Sequence, residues 1–288
     1  MSIRLPPVVK QLLTLRTPAS YVISRAGLAR LRGVLQQTRE EARERSVEDG
    51  WVVLASCALL TSNVPPAFAD LYRVASRTNP DDAQSRVSVS EVIRTASLMR
   101  EAALKSTIFV GVPRVILSLA EFHAAIEDDI KAALRKDAHP DRACTPENAR
   151  AVVERGQALW NNIYAPHDVK LANKLGSYHP DFIAFIIQSY GAVLSPLPDP
   201  AAQGNLSRTL GSVVGTACLR AEARVGPQLT SHVFGLLKAR AVPGLAPSDY
   251  WLSSDAGTEW VLRAIDRIVE TVEQERVDPG ELKEAAKL

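Results

Sequence analysis

Apolar residues recur at spacings of three and four along most of the chain, and strict apolar/polar alternation is hard to find. A period near 3.6 belongs to amphipathic helices, so the pattern predicts an all-α fold. Ser88-Val-Ser-Glu91 has the capping-box form and opens a helix through IRTASLMREAALKSTIF. Gly111-Val-Pro113 interrupts it, because proline lacks an amide hydrogen and clashes with the preceding turn. A second helix is expected at once, with Val115, Leu119, Phe122, Ile126, Ile130 and Leu134 on one inward stripe. Thr145-Pro146-Glu147 reads as N-cap, first-turn proline and acidic first turn of a helix that turns Val152, Val153, Leu159, Trp160 and Ile163 inward. That helix should stop near Tyr164-Ala-Pro166. FIAFIIQSYG is apolar on nearly every side, as a helix in the middle of a bundle would be. SPLPDPAAQGN, residues 195–205, is the best linker. A closing helix carries Val261, Leu262, Ile265, Ile268, Val269 and Val272 on one face and Arg263, Asp266, Arg267 and Glu270 on the other.

Two stretches share one pattern. WVVLASCALLTSNVPPAFADLYRVA from residue 51 and LGSVVGTACLRAEARVGPQLTSHVFGL from residue 210 each read as a small-residue helix, a short break ending in proline, and a second helix. Superposed, Pro65 meets Pro227, Pro66 meets Gln228 and Asp70 meets His232. The chain therefore divides into an N-terminal helical extension (1–49), a first helical half (50–136), a helical insert with linker (137–205), a second half (206–276) and an exposed tail (277–288).

Charge narrows the function. Against 34 Lys+Arg stand 32 Asp+Glu in 288 residues, a formal +2, so nothing calls for nucleic acid or an anionic membrane as partner. Aromatics at 6% argue against a base-stacking platform. No apolar run approaches the roughly 20 residues that span a bilayer. Three cysteines, Cys57, Cys144 and Cys218, lie far apart with neither C-x-x-C nor zinc-ligand spacing, which suits a reducing compartment, and Cys57 and Cys218 read as packing residues. The ends disagree about address. Residues 1–39 hold seven Arg or Lys and no acid, as in a mitochondrial presequence or a surface helix with its arginines in water. The terminal Ala286-Lys287-Leu288 is a close variant of the peroxisomal Ser-Lys-Leu address that an import receptor reads. Peroxisome is the first expectation, cytoplasm or mitochondrion the alternatives.

Candidate chemistry gathers at three places. His232, one turn past the Gly226-Pro227 break, is either an acid/base group or a buried histidine bonded to backbone or to a neighbouring subunit. The insert holds Tyr164, His167, Asp168, Tyr178, His179 and Asp181, enough donors for a pocket or a metal, yet Ala-Pro-His-Asp and Tyr-His-Pro-Asp read equally as helix-capping loops. Trp251 with Tyr250 and Trp260 makes either an aromatic pocket wall or core. His123 and His139 read as structural, and no glycine pattern supports nucleotide binding.

The two-helix unit, the phrase IFVGVPRVILSLAEF and the later GPQLTSH resemble the carboxymuconolactone decarboxylase and AhpD-like superfamily, in an elongated form similar to fungal members, over most of residues 50–273. The resemblance implies an AhpD-like helical bundle assembled as a homo-oligomer, a dimer or trimer. The hydroperoxidase branch uses C-x-x-C-x-x-x-H with an upstream glutamate, because a thiolate attacks peroxide and a second thiol resolves it. Here Val225 and Gln228, and in the first half Asn63 and Pro66, stand where cysteines belong, and Val213 stands where the glutamate would fall. Dithiol chemistry is not expected. The decarboxylase branch implies acid/base work on a small carboxylated lactone, with no cofactor and no metal, using His232 with Glu222, Asp70 or Glu101 as its carboxylate partner. Gln228, Tyr164, His167, His179 and Trp251 are the expected substrate contacts. The competing expectations are a non-catalytic ligand-binding or scaffold protein and a residual peroxide reductase working through Cys57 or Cys218.

Overall fold

Fourteen α-helices follow one another in the structure, a computed structural model that describes residues 4–16 and 22–277. The Ala286-Lys287-Leu288 end and the rest of the tail from 278 lie outside the described residues. Two short strands, Val22–Ile23 and Arg276–Val277, pair antiparallel. The fold is all-α.

Helices α3 (Glu48–Thr61), α5 (Val89–Val110) and α11 (Arg208–Glu222) occupy the centre. Every residue of α3 from Gly50 to Thr61 is buried, as is every residue of α11 from Thr209 to Leu219. A helix apolar around its whole circumference needs neighbours on all sides. They are supplied by α2 (Arg25–Glu44), α14 (Asp255–Glu275), α4 (Pro65–Ser76), α6 (Val112–Ala125) and α12 (Gly226–Ala239). The N-terminal segment thus takes part in the main core: Leu31, Leu35 and Ala42 of α2 are buried in it.

The helix pairs α3–α4 and α11–α12 share one local construction. Each break is made by left-handed backbone, Asn63 at φ 57° in the first and Ala223 and Arg224 at φ 56° and 52° in the second. Proline then occupies the first turn of α4 and of α12, where a missing amide costs no helical bond.

Local chemistry delivered other elements as expected. Ser88 and Glu91 form the capping box of α5, and Gly111, at φ 82°, ends it before the proline that opens α6. Val261, Ile265, Ile268 and Val272 of α14 are buried as the stripe required.

Four expectations need correction. The stripe from Val115 to Leu134 is not one helix: α6 stops at Ala125, Ile126 and Glu127 are extended, and α7 (Asp128–Ala133) starts anew. Glu127 is held there by Tyr72 and by Arg77 at 2.8 Å, which bends the chain while Ile126, Ile130 and Leu134 still reach the core. Helix α8 (Ala149–Tyr164) begins after a turn in which the Asn148 side chain accepts from the Thr145 amide at 2.8 Å, so Thr145 is not its N-cap. Val153 faces solvent. FIAFIIQSYG, finally, is not enclosed on every side: Ile187, Tyr190 and Gly191 are buried, but α10 (Phe182–Ser189) leaves Phe185 64% exposed.

A second core forms in the insert from Leu159, Trp160, Ile163, Ile187, Tyr190 and Leu194. Here α8 meets α10 and the π-helical turn Tyr190–Leu194 almost backbone to backbone. A Cβ on Gly156 would stand 1.9 Å from the Ile187 carbonyl, and one on Gly191 would stand 1.8 Å from that of Val152, so only glycine fits. Lys105, with 0% exposure, ties this core to the main one. It reaches from α5 and donates to the carbonyls of Val193, Leu194 and Ser195 at 2.8, 2.9 and 2.8 Å. Those are C-terminal carbonyls of the π turn, where a cation also meets the helix dipole favourably. Glu101, 3.4 Å from its ammonium, balances the charge and is itself held by Arg142. Lys105→Met removes the donor from three buried carbonyls and a buried carboxylate. It should lower the unfolding free energy by about 3 kcal/mol or more in urea titrations, with loss of the insert's tertiary signal first.

Candidate functional site

His232 lies on the face of α12 turned towards α11, where glycine gives it room. A Cβ on Gly215 would stand 2.5 Å from its Nδ1, so any larger residue would displace the ring. Phe109 of α5 meets the imidazole edge to face, with ring centres 5.2 Å apart. Tyr164, at the last turn of α8, places its hydroxyl 3.4 Å from Nε2 and 3.1 Å from the Tyr190 hydroxyl. Arg208, on the first turn of α11, donates to Asn162 Oδ1 at 2.9 and 2.7 Å, to Ser212 and to the Gly235 carbonyl at 3.2 Å. Among the described residues it has no carboxylate partner.

Burial sets the electrostatics. His232 is 4% exposed, and burial followed by the charge of Arg208 pushes its pKa down to about 4. Burial likewise lowers Arg208 to about 10. At neutral pH the imidazole is therefore uncharged beside a charged guanidinium, while burial raises the pKa of Tyr164. The space enclosed by Leu159, Ile163, Leu194, Pro196, Arg208, Ser212 and His232 is about 10 Å³, the room of one water-sized probe rather than of a substrate. On the other side of Tyr164 an open cleft of about 510 Å³ runs between the end of α8, α9 (Asp168–Tyr178) and α12. Ile163, Leu171 and Phe234 supply its apolar wall; Lys170, Lys174, Lys238 and His167 supply its polar groups. None of its lining residues is acidic.

The expected carboxylate partners of His232 are elsewhere. Asp70 is buried under Arg32, at 2.7 and 2.8 Å, with Arg73 at 3.5 Å, and fastens α2 to α4. Glu101 belongs to the Lys105–Arg142 group, and Glu222 pairs with Arg114 at 2.7 Å. Each carboxylate has been drawn to an arginine, and the charge acting on His232 comes from Arg208 instead. Of the expected substrate contacts, Tyr164 and His167 come together in the cleft. His179 does not: it lies at the far end of α9, about 18 Å along the helix axis from His167, and its Nδ1 accepts from the Asp181 amide at 3.2 Å. Asp168 and Asp181 make no side-chain caps either, since His167 is the N-cap of α9 and Asp181 caps α10 without a side-chain bond. Gln228 is exposed on the first turn of α12, outside the lining of both spaces. Trp251 packs edge to face on Trp260 at 5.7 Å with Arg45 over its ring, away from His232.

Cys57 and Cys218 are fully buried around Ser106, whose hydroxyl lies 3.5 and 3.3 Å from the two sulfurs. Burial pushes the Cys57 thiol up, away from the thiolate that peroxide chemistry needs. The described residues bring no three His, Cys, Asp or Glu side chains together as a metal cluster, and no described helix is long and apolar enough to cross a membrane. Arg208 and Tyr190 were not picked out from the sequence. A signal existed for Arg208, since a cation in the first turn after the Ser207 N-cap opposes the helix dipole.

No known protein family, no curated protein and no solved structure matches this chain.

The histidine carries a pH signature. The unfolded chain takes up its proton near pH 6.5 and the folded chain near 4, so its contribution to stability is fully present above 6.5 and is lost as pH falls through this interval. The interval corresponds to about 3 kcal/mol. Chemical denaturation at pH 7 and pH 4 should show His232→Gln losing about that much less stability than the wild type. Equal losses in both proteins would mean that the imidazole is protonated in the fold.

Proposed function

We propose that the protein binds a small carboxylated molecule with an apolar body in the cleft between α8, α9 and α12. The lining of that cleft carries the proposal: three lysines and a histidine surround an apolar wall with no acidic residue among them. A carboxylate is the complement to such a rim, and an alkyl or aromatic body the complement to Ile163, Leu171 and Phe234. Lys238 is held in place by the carbonyls of Ile163 and Ala165 at 2.7 and 2.6 Å, which orients its ammonium at the mouth. The pattern-level likeness to the decarboxylase branch points to the same ligand class.

Turnover at His232 is the second reading, and one contact favours it. The Tyr164 hydroxyl, on a residue that lines the cleft, touches Nε2 of a neutral imidazole, so a proton could pass between the ligand side and the histidine through the phenol. Against it stand the closed space beside His232 and the absence of a carboxylate on the ring. A carboxy-lyase working here would need Tyr164 to turn or α12 to move. Assembly into a dimer or trimer belongs to the proposal too, with Phe182 and Phe185 of α10, both exposed, as the apolar surface a second copy would cover.

Native mass spectrometry of the full chain with octanoate and phenylacetate tests the first reading. One carboxylate per chain should bind, and Lys170→Glu/Lys174→Glu should weaken it at least tenfold; no binding, or binding indifferent to that change, would overturn it. For a carboxylated lactone, carbon dioxide release that disappears in Tyr164→Phe and His232→Gln while binding persists would decide for turnover. The mass of the native species gives the copy number directly.

A further inference from the structure

Another open cleft lies on a different side of the main core. About 640 Å³ in volume, it is bounded by α5, α6, α7 and the turn that follows α7. Its wall is apolar, from Leu119, Phe122, Ile126 and Leu134. Its charged groups are Arg100, Lys131, Arg135 and Lys136 against a single carboxylate, Asp128, which already sits 3.3 Å from Lys131.

Arg100 and Arg135 stand together in this cleft. Some arginines near the core are paired with carboxylates, as Arg32, Arg77 and Arg142 are, and others, as Arg39, Arg155 and Arg208, bond neutral groups. Arg100 and Arg135 have no carboxylate partner among the described residues. Arg100 donates to the Arg135 carbonyl at 3.2 and 3.1 Å, and the Arg135 side chain donates to the carbonyl of Asp137. These bonds use carbonyl dipoles rather than carboxylates, and the charge of Glu101 offsets only part of that of Arg100. The nearest carboxylate in sequence, Glu101, is committed to Arg142 and Lys105. Burial and then the charge of Arg135 lower the pKa of Arg100, so the two guanidiniums feel each other.

The arrangement is also held in place before any ligand arrives. Gln203, from the linker, accepts from the Arg135 amide at 2.6 Å and donates to the Ala133 carbonyl at 3.0 Å, fixing the turn that carries Arg135. Arg100 projects from the middle of α5, a rigid element of the main core. A smaller recess lined by Ser97, Arg100, Glu101, Leu104, Leu119, Arg135 and Gln203 continues the cleft past the two arginines, its one carboxylate being the Glu101 already bonded to Arg142.

We propose that this cleft is a binding site for a small phosphate monoester with an apolar or aromatic body. The dianionic phosphate would lie between Arg100 and Arg135, and the body on Phe122, Leu119 and Ile126. Two adjacent guanidiniums are better neutralised by a dianion than by one carboxylate, and their forked donors match phosphate oxygens in pairs. The site is separate from the lysine-rimmed cleft, and neither assignment depends on the other.

Titration calorimetry of the full chain with phenyl phosphate, inorganic phosphate and benzoate tests it. Phenyl phosphate should bind one per chain, at least tenfold more tightly than either inorganic phosphate, which lacks the body, or benzoate, which lacks the second charge. Arg100→Gln and Arg135→Gln should each weaken it at least tenfold, whereas Lys170→Glu/Lys174→Glu should leave it unchanged. Arg135→Gln keeps the main-chain bond to Gln203, and an unaltered melting temperature for that variant shows that the turn is intact. Absence of phenyl phosphate binding, or binding lost on changing the lysines and not the arginines, would overturn the proposal. Benzoate binding as tightly as phenyl phosphate would do so as well.

Discussion

A buried ammonium is central to the way the two parts of this molecule meet. The main core and the insert each close on their own apolar residues, but Lys105 crosses between them to end the π turn with three carbonyl bonds. A lysine without solvent exposure is costly to desolvate, and the pKa lowered to about 8 reflects that. The cost is tolerated because the same group satisfies main-chain acceptors that would otherwise be buried bare. Leu194, whose carbonyl Lys105 takes, borders the space beside His232, and Tyr190 at the start of the same turn bonds Tyr164. The position of the tyrosine that separates His232 from the open cleft is thus referred back, through one turn of helix, to α5.

The two helix pairs show how one local construction can carry unlike chemistry. At the matching place on the second helix of each pair stand Asp70 and His232, both buried. Asp70 is enclosed by arginines and works as a fastening between α2 and α4. His232 has an arginine nearby too, but burial keeps the imidazole neutral and its neighbours are two aromatic rings. Only the second pair faces an open cleft through a tyrosine.

What could be read from the chain was what short-range chemistry decides. Ser88 and Glu91 are three residues apart, Gly111 and Pro113 two, and the structure has the capping box and the break they imply. Tyr164 and His167, three residues apart in the polar run of the insert, line one cleft, whereas His179 of the same run does not. The errors arose where the deciding partner was distant. Asp70 meets Arg32 from 38 residues away and Glu101 meets Arg142 from 41, and no spacing rule reports such a pairing. FIAFIIQSYG looked central because periodicity measures how apolar a helix is, not what covers it. Lys105 carries a short-range signal, since it falls on the buried face with Leu98, Ala102 and Ser106.

The seam between the first long helix and the last has a consequence for how the chain comes to be folded. Arg30 is bonded to Glu275, and Glu41 accepts from Trp260 at 2.9 Å and from Arg267 at 2.7 and 2.6 Å, pairs separated by 219 to 245 residues. During synthesis α2 and α3 leave the ribosome long before α14 exists to cover them. The insert can close early on contacts within its own span, but α3, buried on all its faces in the finished fold, must wait until α14 has been made. Biogenesis of this protein therefore includes a long interval with an apolar helix uncovered, an interval set by the order of its helices along the chain.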